Sequence, residues 1–265
     1  MSEARLAGKR VLVVGASSGI GRAVALRAVR AGASVVMSAR RADKLAELVD
    51  EAGGGIAVVG DVRDPESCRR IVEEAAATLG GLDLLLYTVG AAPLRYFADT
   101  TTEDWRQVLE TNLIGPHQVI RAALASLAPG ALVAVLSSES VGRPYPGLGA
   151  YAASKAALEE SLRAWRTEQP AVRFCCVIQG ATVPTDFGNA FDMAFLGELM
   201  EHWARLGIIT EGVMETDEVA DVLMATLGVA MANPRVGVEN LVIRPPFAVV
   251  GTPESMMAVA RDTLS

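Results

Sequence analysis

The chain has 265 residues, 51% of them hydrophobic, and a net charge of −7; it is long enough for a substantial core and too apolar for a disordered protein. No basic run or aromatic–basic interleaving accompanies this acidic balance, which excludes the usual footprint of a nucleic-acid binder. The opening MSEARLAGKR has no apolar core and is not expected to be a signal peptide, and the long uncharged run AALASLAPGALVAVLSS is broken at Pro129-Gly130, so no membrane span is expected.

In chain order, short aliphatic runs alternate with amphipathic ones. RVLVVG, ASVVMSA, GIAVVG, LDLLLYTVG, ALVAVLSS, VRFCCVIQG and ENLVIRP read as strands, most of them nearly continuous in apolar residues, as strands covered on both faces of a parallel sheet are. Helical stretches lie between them: Ile20–Ala31, Ala42–Glu51, Pro65–Leu79, Thr102–Leu127, Tyr151–Thr167 and Thr216–Met231. Asp64-Pro65 is a cap followed by proline at the first helical position, and TTED before Trp105 has the form of a capping box. The expected fold is α/β, a single doubly wound domain around a parallel sheet of about seven strands, over residues 1–265. One segment, 186–215, breaks the alternation. It is rich in Phe, Met, Leu and Trp and falls at the carboxyl edge of the sheet, where a long insertion reads as a substrate lid.

Cys175 and Cys176 are adjacent and would point to opposite faces of a strand, so neither a disulfide between them nor a metal site is expected. His117 and His202 have no partner carboxylate in view and read as structural or surface residues. The protein is expected to be soluble, reduced and cytoplasmic.

Chemistry enters at VVGASSGIGRA, directly after the first strand. Gly15, Gly19 and Gly21, spaced G-x-x-x-G-x-G, form a turn that lets backbone amides of Ser17, Ser18 and Ile20 and a helix N-terminus approach a pyrophosphate. At the end of the second strand, an acid that would hold a ribose 2′-hydroxyl is missing. Ala39 stands there, followed by Arg40 and Arg41, whose forked guanidinium groups match a 2′-phosphate. The expected cofactor is NADP(H). Tyr151 and Lys155 lie one helical turn apart with only small residues between them, so that the ammonium can lower the phenol pKa.

This ordered set resembles the short-chain dehydrogenase/reductase family, a Rossmann fold, from about residue 8 to about residue 245. The glycine turn, Asp61-Val62, Asn112, Ser138 and the Tyr151/Lys155 pair occur in the family's order, with Ser138 thirteen residues before Tyr151. The resemblance implies hydride transfer between the nicotinamide and a carbonyl or secondary alcohol, with a homodimer or homotetramer as the working unit. It makes Tyr151 the general acid or base, Lys155 the residue that tunes it and holds the ribose, Ser138 the donor to the substrate oxygen, and Asn112 the anchor of a water. Asp61 and Val62 would flank the adenine. Gly90, Gly180, Thr182 and Thr185 would border the nicotinamide half.

The departures are YTVG (Tyr87 to Gly90) where the family has Asn-Asn-Ala-Gly, Gln179 where it has proline, and Pro184 where it often has threonine. Glu139 follows the serine and leaves two readings open, a contact to a polar substrate group or a solvated side chain. Phe187 and the apolar insertion suggest a hydrophobic or bulky substrate. Two alternatives remain: a non-catalytic NADP-binding regulator on the same fold, and epimerase or dehydratase chemistry with the same residues.

Overall fold

The computed structural model describes residues 6–210 and 212–246. Residues 1–5, Glu211 and residues 247–265, which belong to the expected domain and, for Glu211, to the insertion, lie outside the described residues.

The strands are β1 (Arg10–Val14), β2 (Ser34–Ala39), β3 (Ile56–Val59), β4 (Leu82–Tyr87), β5 (Leu127–Leu136), β6 (Arg173–Gln179), the short β7 (Thr182–Val183) and β8 (Met214–Glu215), and β9 (Asn240–Ile243). Seven of them form one sheet in the order β3-β2-β1-β4-β5-β6-β9, every neighbouring pair parallel. The expected α/β class and strand number are therefore found. β7 and β8 make a separate parallel pair at the root of the insertion.

The helices are α1 (Gly19–Arg30), α2 (Ala42–Ala52), α3 (Pro65–Leu79), α4 (Thr102–Leu109), α5 (Gly115–Ala123), α6 (Gly149–Glu168), α7 (Met193–Arg205) and α8 (Thr216–Ala232). They cover both faces of the sheet, which alternation along each strand makes possible. Val11 and Val13 of β1 join α1, α2 and α8 in one core, while Leu12 and Val14 join α3, α5 and α6 in the other. Cys175 and Cys176 divide between these two cores, and all three cysteines are free and buried. Each fully buried Leu, Ile or Val adds about 1.5–3 kcal/mol over an exposed one, so the sheet is the most stable part of the scaffold.

Local starts follow the sequence. The Asp64 carboxylate accepts from the N–H groups of Glu66 (3.1 Å) and Ser67 (3.2 Å) at the head of α3. Thr101 and Asp104 form the reciprocal box that opens α4.

Two boundaries differ from expectation. The helix expected over Thr102–Leu127 is divided: a wide π turn at Glu110–Ile114 separates α4 from α5. Pro116, at the start of α5, has no N–H to offer the Asn112 carbonyl four residues earlier, and the Tyr87 hydroxyl supplies a donor to the Thr111 carbonyl at 2.9 Å. β5 starts at Leu127 and runs through Pro129-Gly130, where a turn was expected. Gly130 takes a φ of +75° there, and the register with β4 shifts between Leu82 and Leu84.

Candidate active site

The strand order reverses between β1 and β4, and the crevice beyond the carboxyl ends of these strands collects most of the expected residues. On its floor, Gly15 (φ +99°) and Gly19 (φ +53°) adopt left-handed backbone that other residues resist. A β-carbon at Gly21 would stand 2.3 Å from the Gly15 carbonyl oxygen, and one at Gly15 would stand 2.4 Å from Thr88 Oγ1. Ser18 precedes α1 without a side-chain capping bond, so the first N–H groups of that helix stay open to an anion. Such a glycine cradle under an uncapped helix end fits a dinucleotide pyrophosphate.

At the end of β2, Ala39 is buried and Arg40 and Arg41 are exposed. Arg41 Nη2 donates to the hydroxyls of Ser17 (2.8 Å) and Ser18 (3.0 Å), across the mouth of the glycine turn. After β3, Asp61 pairs with Arg63 at 2.6 Å. The hydrogen bond from Arg63 outweighs burial and holds the Asp61 carboxyl below the usual range, and the charge of Arg40 acts in the same direction. Val62 is buried, its carbonyl accepting from the Cys68 thiol at 3.2 Å.

Ser138, Tyr151 and Lys155 come together above β5. Tyr151 and Lys155 are both buried on α6. Lys155 Nζ donates to the Leu136 carbonyl at 2.7 Å and lies 5.8 Å from the centre of the Tyr151 ring. Ser138 accepts from the N–H (3.1 Å) and hydroxyl (2.9 Å) of Ser140, and its hydroxyl acts to lower the pKa of the Tyr151 phenol.

The expected lowering of the phenol pKa by Lys155 is not met in this arrangement. Burial pushes Tyr151 up to about 12, against which Ser138 acts only weakly. Burial likewise brings the Lys155 amine down to about 8, with Cys176 and then Glu159 opposing it. Desolvation disfavours both charged forms, and the ammonium is turned toward a backbone carbonyl rather than toward the phenol oxygen.

Asn112 sits in the π turn, fully buried. Its carboxamide accepts from Ala91 N–H (2.9 Å) and donates to the Ala91 carbonyl (2.8 Å) and Ser154 Oγ (3.0 Å). A β-carbon on Gly90 would lie 3.7 Å from Lys155 Nζ and 3.9 Å from Asn112 Oδ1, so the three meet at one point. The missing Asn-Asn pair is replaced by Thr88, whose hydroxyl donates to the carbonyls of Val14 (3.0 Å) and Gly15 (3.2 Å).

The loop after β6 closes the far side. Gln179 Nε2 donates to Thr182 Oγ1 at 2.6 Å. Thr185 leans on Gly19, where a β-carbon would lie 3.3 Å from its Cγ2. Glu139 is partly buried and its carboxylate is engaged. Its Oε1 accepts from Ala181 N–H (3.1 Å) and from the Tyr145 hydroxyl (3.4 Å), and Oε2 lies 3.8 Å from Arg244 Nε.

The insertion contributes a short 3-10 turn, Asp186–Gly188, and α7. The Phe187 ring lies 5.0 Å from that of Tyr151, centre to centre. Leu199 and Trp203 are buried beside Tyr151, with Tyr145, Phe191, Phe195, Leu196 and Met200 packed around them. Met193, the first residue of α7, is by contrast 63% exposed. His202 lies in the last turn of α7, and His117 is exposed on α5, 5.2 Å from the Trp165 ring.

Sequence reasoning missed three participants. Thr88 was visible only as a departure from the expected motif. Tyr145 gave no signal beyond its nearness to Ser138. Asp186, which pairs with Arg41 at 2.6 Å, is remote from it in sequence and could be found only in the fold.

Comparison with known proteins agrees with this arrangement. The sequence profile described as short chain dehydrogenase matches residues 9–193. The short-chain dehydrogenase/reductase FrzI of Cladobotryum sp is 34% identical over 203 residues, 74% of this chain and 78% of that protein. Glycine betaine reductase ATRR of Emericella nidulans is 36% identical over 199 residues, 71% of this chain but 15% of that longer protein. A short chain dehydrogenase from Burkholderia cenocepacia, solved in complex with NADP, superposes with a TM-score of 0.79 at 27% identity, covering 91% of this chain and 98% of that one. The chain belongs to the short-chain dehydrogenase/reductase family of oxidoreductases.

Proposed function

We propose that this protein is an NADPH-dependent reductase that transfers hydride to the carbonyl carbon of a hydrophobic or bulky ketone or aldehyde, and catalyses the reverse oxidation of the secondary or primary alcohol. The observation that carries the reading is the convergence of Ser138, Tyr151 and Lys155 beside a glycine cradle whose neighbouring strand ends in Ala39-Arg40-Arg41. Bound in that cradle, the reduced nicotinamide supplies the hydride.

The chain's own residues do the rest. Ser138 donates to the carbonyl oxygen and polarises it. Tyr151 holds its proton firmly at neutral pH, because burial keeps the phenol neutral, and releases it to the oxygen as negative charge develops there. Lys155 orients the ribose and, once the proton has left, stabilises the phenolate. Asn112 fixes Ala91 and Ser154 around this group and takes the role of anchor for a water that returns protons to Lys155.

Asp61 and Val62 border the adenine, and Arg40 with Arg41 receives the 2′-phosphate. Gly90, Gly180, Thr182 and Thr185 line the nicotinamide half, while Phe187 forms an apolar wall for the substrate. In this reading one Rossmann-type domain spans 1–265, with 186–215 as its lid, in a cytoplasmic homodimer or homotetramer. No helix among the described residues is long and apolar enough to cross a membrane.

The test is a panel of ketones, aldehydes and alcohols assayed by nicotinamide absorbance, with NADPH and NADH in parallel. Turnover of a bulky apolar ketone with NADPH supports the reading. NADH preferred across the panel, or no oxidation or reduction of any member, sinks it.

A further inference from the structure

The Arg41 side chain ties together two regions that are remote in sequence. It leaves the residue before α2 and crosses the mouth of the glycine turn, where Nη2 donates to Ser17 Oγ (2.8 Å) and Ser18 Oγ (3.0 Å). Its other arm, Nη1, pairs with Asp186 Oδ2 at 2.6 Å. Asp186 is the first residue of the 3-10 turn that begins the insertion, and Asn189 Nδ2 donates to its second oxygen at 3.1 Å. Beside it, Thr185 rests on Gly19. One guanidinium therefore supplies the charged tie between the root of the insertion and the phosphate cradle, beside the apolar contact of Thr185 with Gly19. Arg40, next to Arg41, makes no hydrogen bond or ion pair among the described residues.

A 2′-phosphate arriving at the end of β2 would offer Arg41 a doubly charged, forked partner in place of a single carboxylate. A ribose 2′-hydroxyl would offer no charge. The pair is half-exposed, with 45% of the Arg41 side chain and 40% of that of Asp186 accessible, so it is weak enough to exchange.

We propose that Asp186 is a specificity-determining residue for the cofactor: it competes with the 2′-phosphate for Arg41, so that only the phosphate-bearing dinucleotide exchanges the Arg41–Asp186 bond and frees the root of the insertion. The proposal rests on the NADPH reading above. It assigns the insertion a way to sense which nucleotide is bound through an anion exchange on one arginine, without a direct contact to the phosphate.

The test measures binding, not turnover. Calorimetric titration of NADP+ and NAD+ into wild type, Asp186→Asn, Arg41→Ala and the double variant gives four pairs of affinities. Asp186→Asn is expected to tighten NADP+ by roughly twofold to fivefold, the worth of an exposed ion pair, and to leave NAD+ unchanged. In the Arg41→Ala background the same substitution should change neither. Hydrogen exchange at residues 186–192 of the free protein should quicken in both single variants. Wild type that binds NAD+ more tightly than NADP+ overturns the cofactor reading and this proposal with it. NADP+ bound more tightly, but with Asp186→Asn altering both nucleotides equally or acting just as strongly without Arg41, overturns this proposal alone.

Discussion

Tyr151 stands between two regions built on different principles. On one side are α6 and β5, where the reacting groups are held by buried residues, Asn112, Ser154 and Lys155 among them. Lys155 is tied to the Leu136 carbonyl at 2.7 Å, Ser154 to the Tyr151 carbonyl at 2.7 Å, and Asn112 to both polar groups of Ala91. On the other side is the insertion, which meets Tyr151 through the Phe187 ring and is fastened by ties nearer to water. These are the half-exposed pair of Arg41 and Asp186, and the partly buried bonds of Tyr145 to the Ile208 carbonyl at 3.1 Å and Trp203 to the Pro146 carbonyl at 2.8 Å. Ties shut away from water keep their partners, because breaking one leaves a buried polar group unpaired. Ties open to water exchange partners readily. Substitutions on the first side should therefore change turnover, and those on the second should change affinity and specificity.

The sharpest way to break this division is Tyr151→Phe. The ring and its packing against Phe187 remain, and only the proton is lost, so turnover should fall by about three orders of magnitude or more while nucleotide binding persists. Near-normal activity on the best substrate of the panel would remove Tyr151 from the chemistry. Ser138→Ala should follow, with kcat lower by roughly a hundredfold to a thousandfold, the loss usual for one oxyanion donor.

Lys155 sharpens the comparison through pH. Its amine is brought down to about 8 by burial, from 10.5, so kcat/KM for reduction should be level below about pH 8 and fall tenfold per unit above it. Stability carries the opposite sign. Between about 8 and 10.5 the unfolded chain binds a proton at this site that the folded protein does not, so the stability of wild type relative to Lys155→Met should rise with pH across that window. The full rise is about 3 kcal/mol, from roughly 2.5 units at 1.36 kcal/mol each. Denaturant titrations of the two proteins at several pH values check it, and a constant difference would contradict the buried amine.

The same division explains what could be read from the sequence. The strands were legible because burial on both faces demands long aliphatic runs, and the glycine turn because close approach excludes side chains. Ser138, Tyr151 and Lys155 were legible because order and spacing on regular elements translate directly into proximity. The π turn was legible only in part. Gly115-Pro116 marks a break in the ladder, because Pro116 has no N–H for the Asn112 carbonyl. The donor from the Tyr87 hydroxyl to the Thr111 carbonyl comes from a remote strand and leaves no local trace. The strand running through Pro129-Gly130 was not legible, since it depends on a register shift against β4. The Arg41–Asp186 pair lay beyond reach for the same reason: a side-chain tie between remote segments leaves no periodicity behind.

Cofactor choice tests the region where the two sides meet. Arg40 is unpaired among the described residues while Arg41 is shared with Asp186, so Arg40→Ala should raise the KM for NADPH more than Arg41→Ala does. A lost charge-assisted contact of about 1.5–3 kcal/mol corresponds to roughly tenfold to a hundredfold. Turnover at saturation should be nearly unchanged, because the 2′-phosphate is remote from the transferred hydride. Ala39→Asp with Arg40→Leu should shift preference toward NADH. Equal KM values for both nucleotides in wild type and Arg40→Ala would refute the assignment.

The smallest effect belongs to Glu139, which sits on the boundary itself. It follows Ser138 on the rigid side, yet its carboxylate holds the Ala181 N–H at the turn into Thr182 and receives the hydroxyl of Tyr145, which in turn bonds Ile208 at the end of the insertion. Burial pushes the Tyr145 phenol up to about 12, with the Glu139 charge acting in the same direction, so the phenol stays protonated and donates throughout the working range. These contacts make Glu139 a positioning residue for the loop that borders the nicotinamide. Glu139→Gln keeps an acceptor for Ala181 and should stay within about twofold of wild type, whereas Glu139→Ala releases the loop and should raise the cofactor KM several-fold with little change in kcat. The alternative left open by the sequence, a direct contact between the carboxylate and a polar group of the substrate, makes a different prediction. Both substitutions would then raise the substrate KM, the glutamine no less than the alanine, and leave the cofactor KM alone. Steady-state measurements with each reactant varied in turn decide between a loop held from beneath and a substrate held directly.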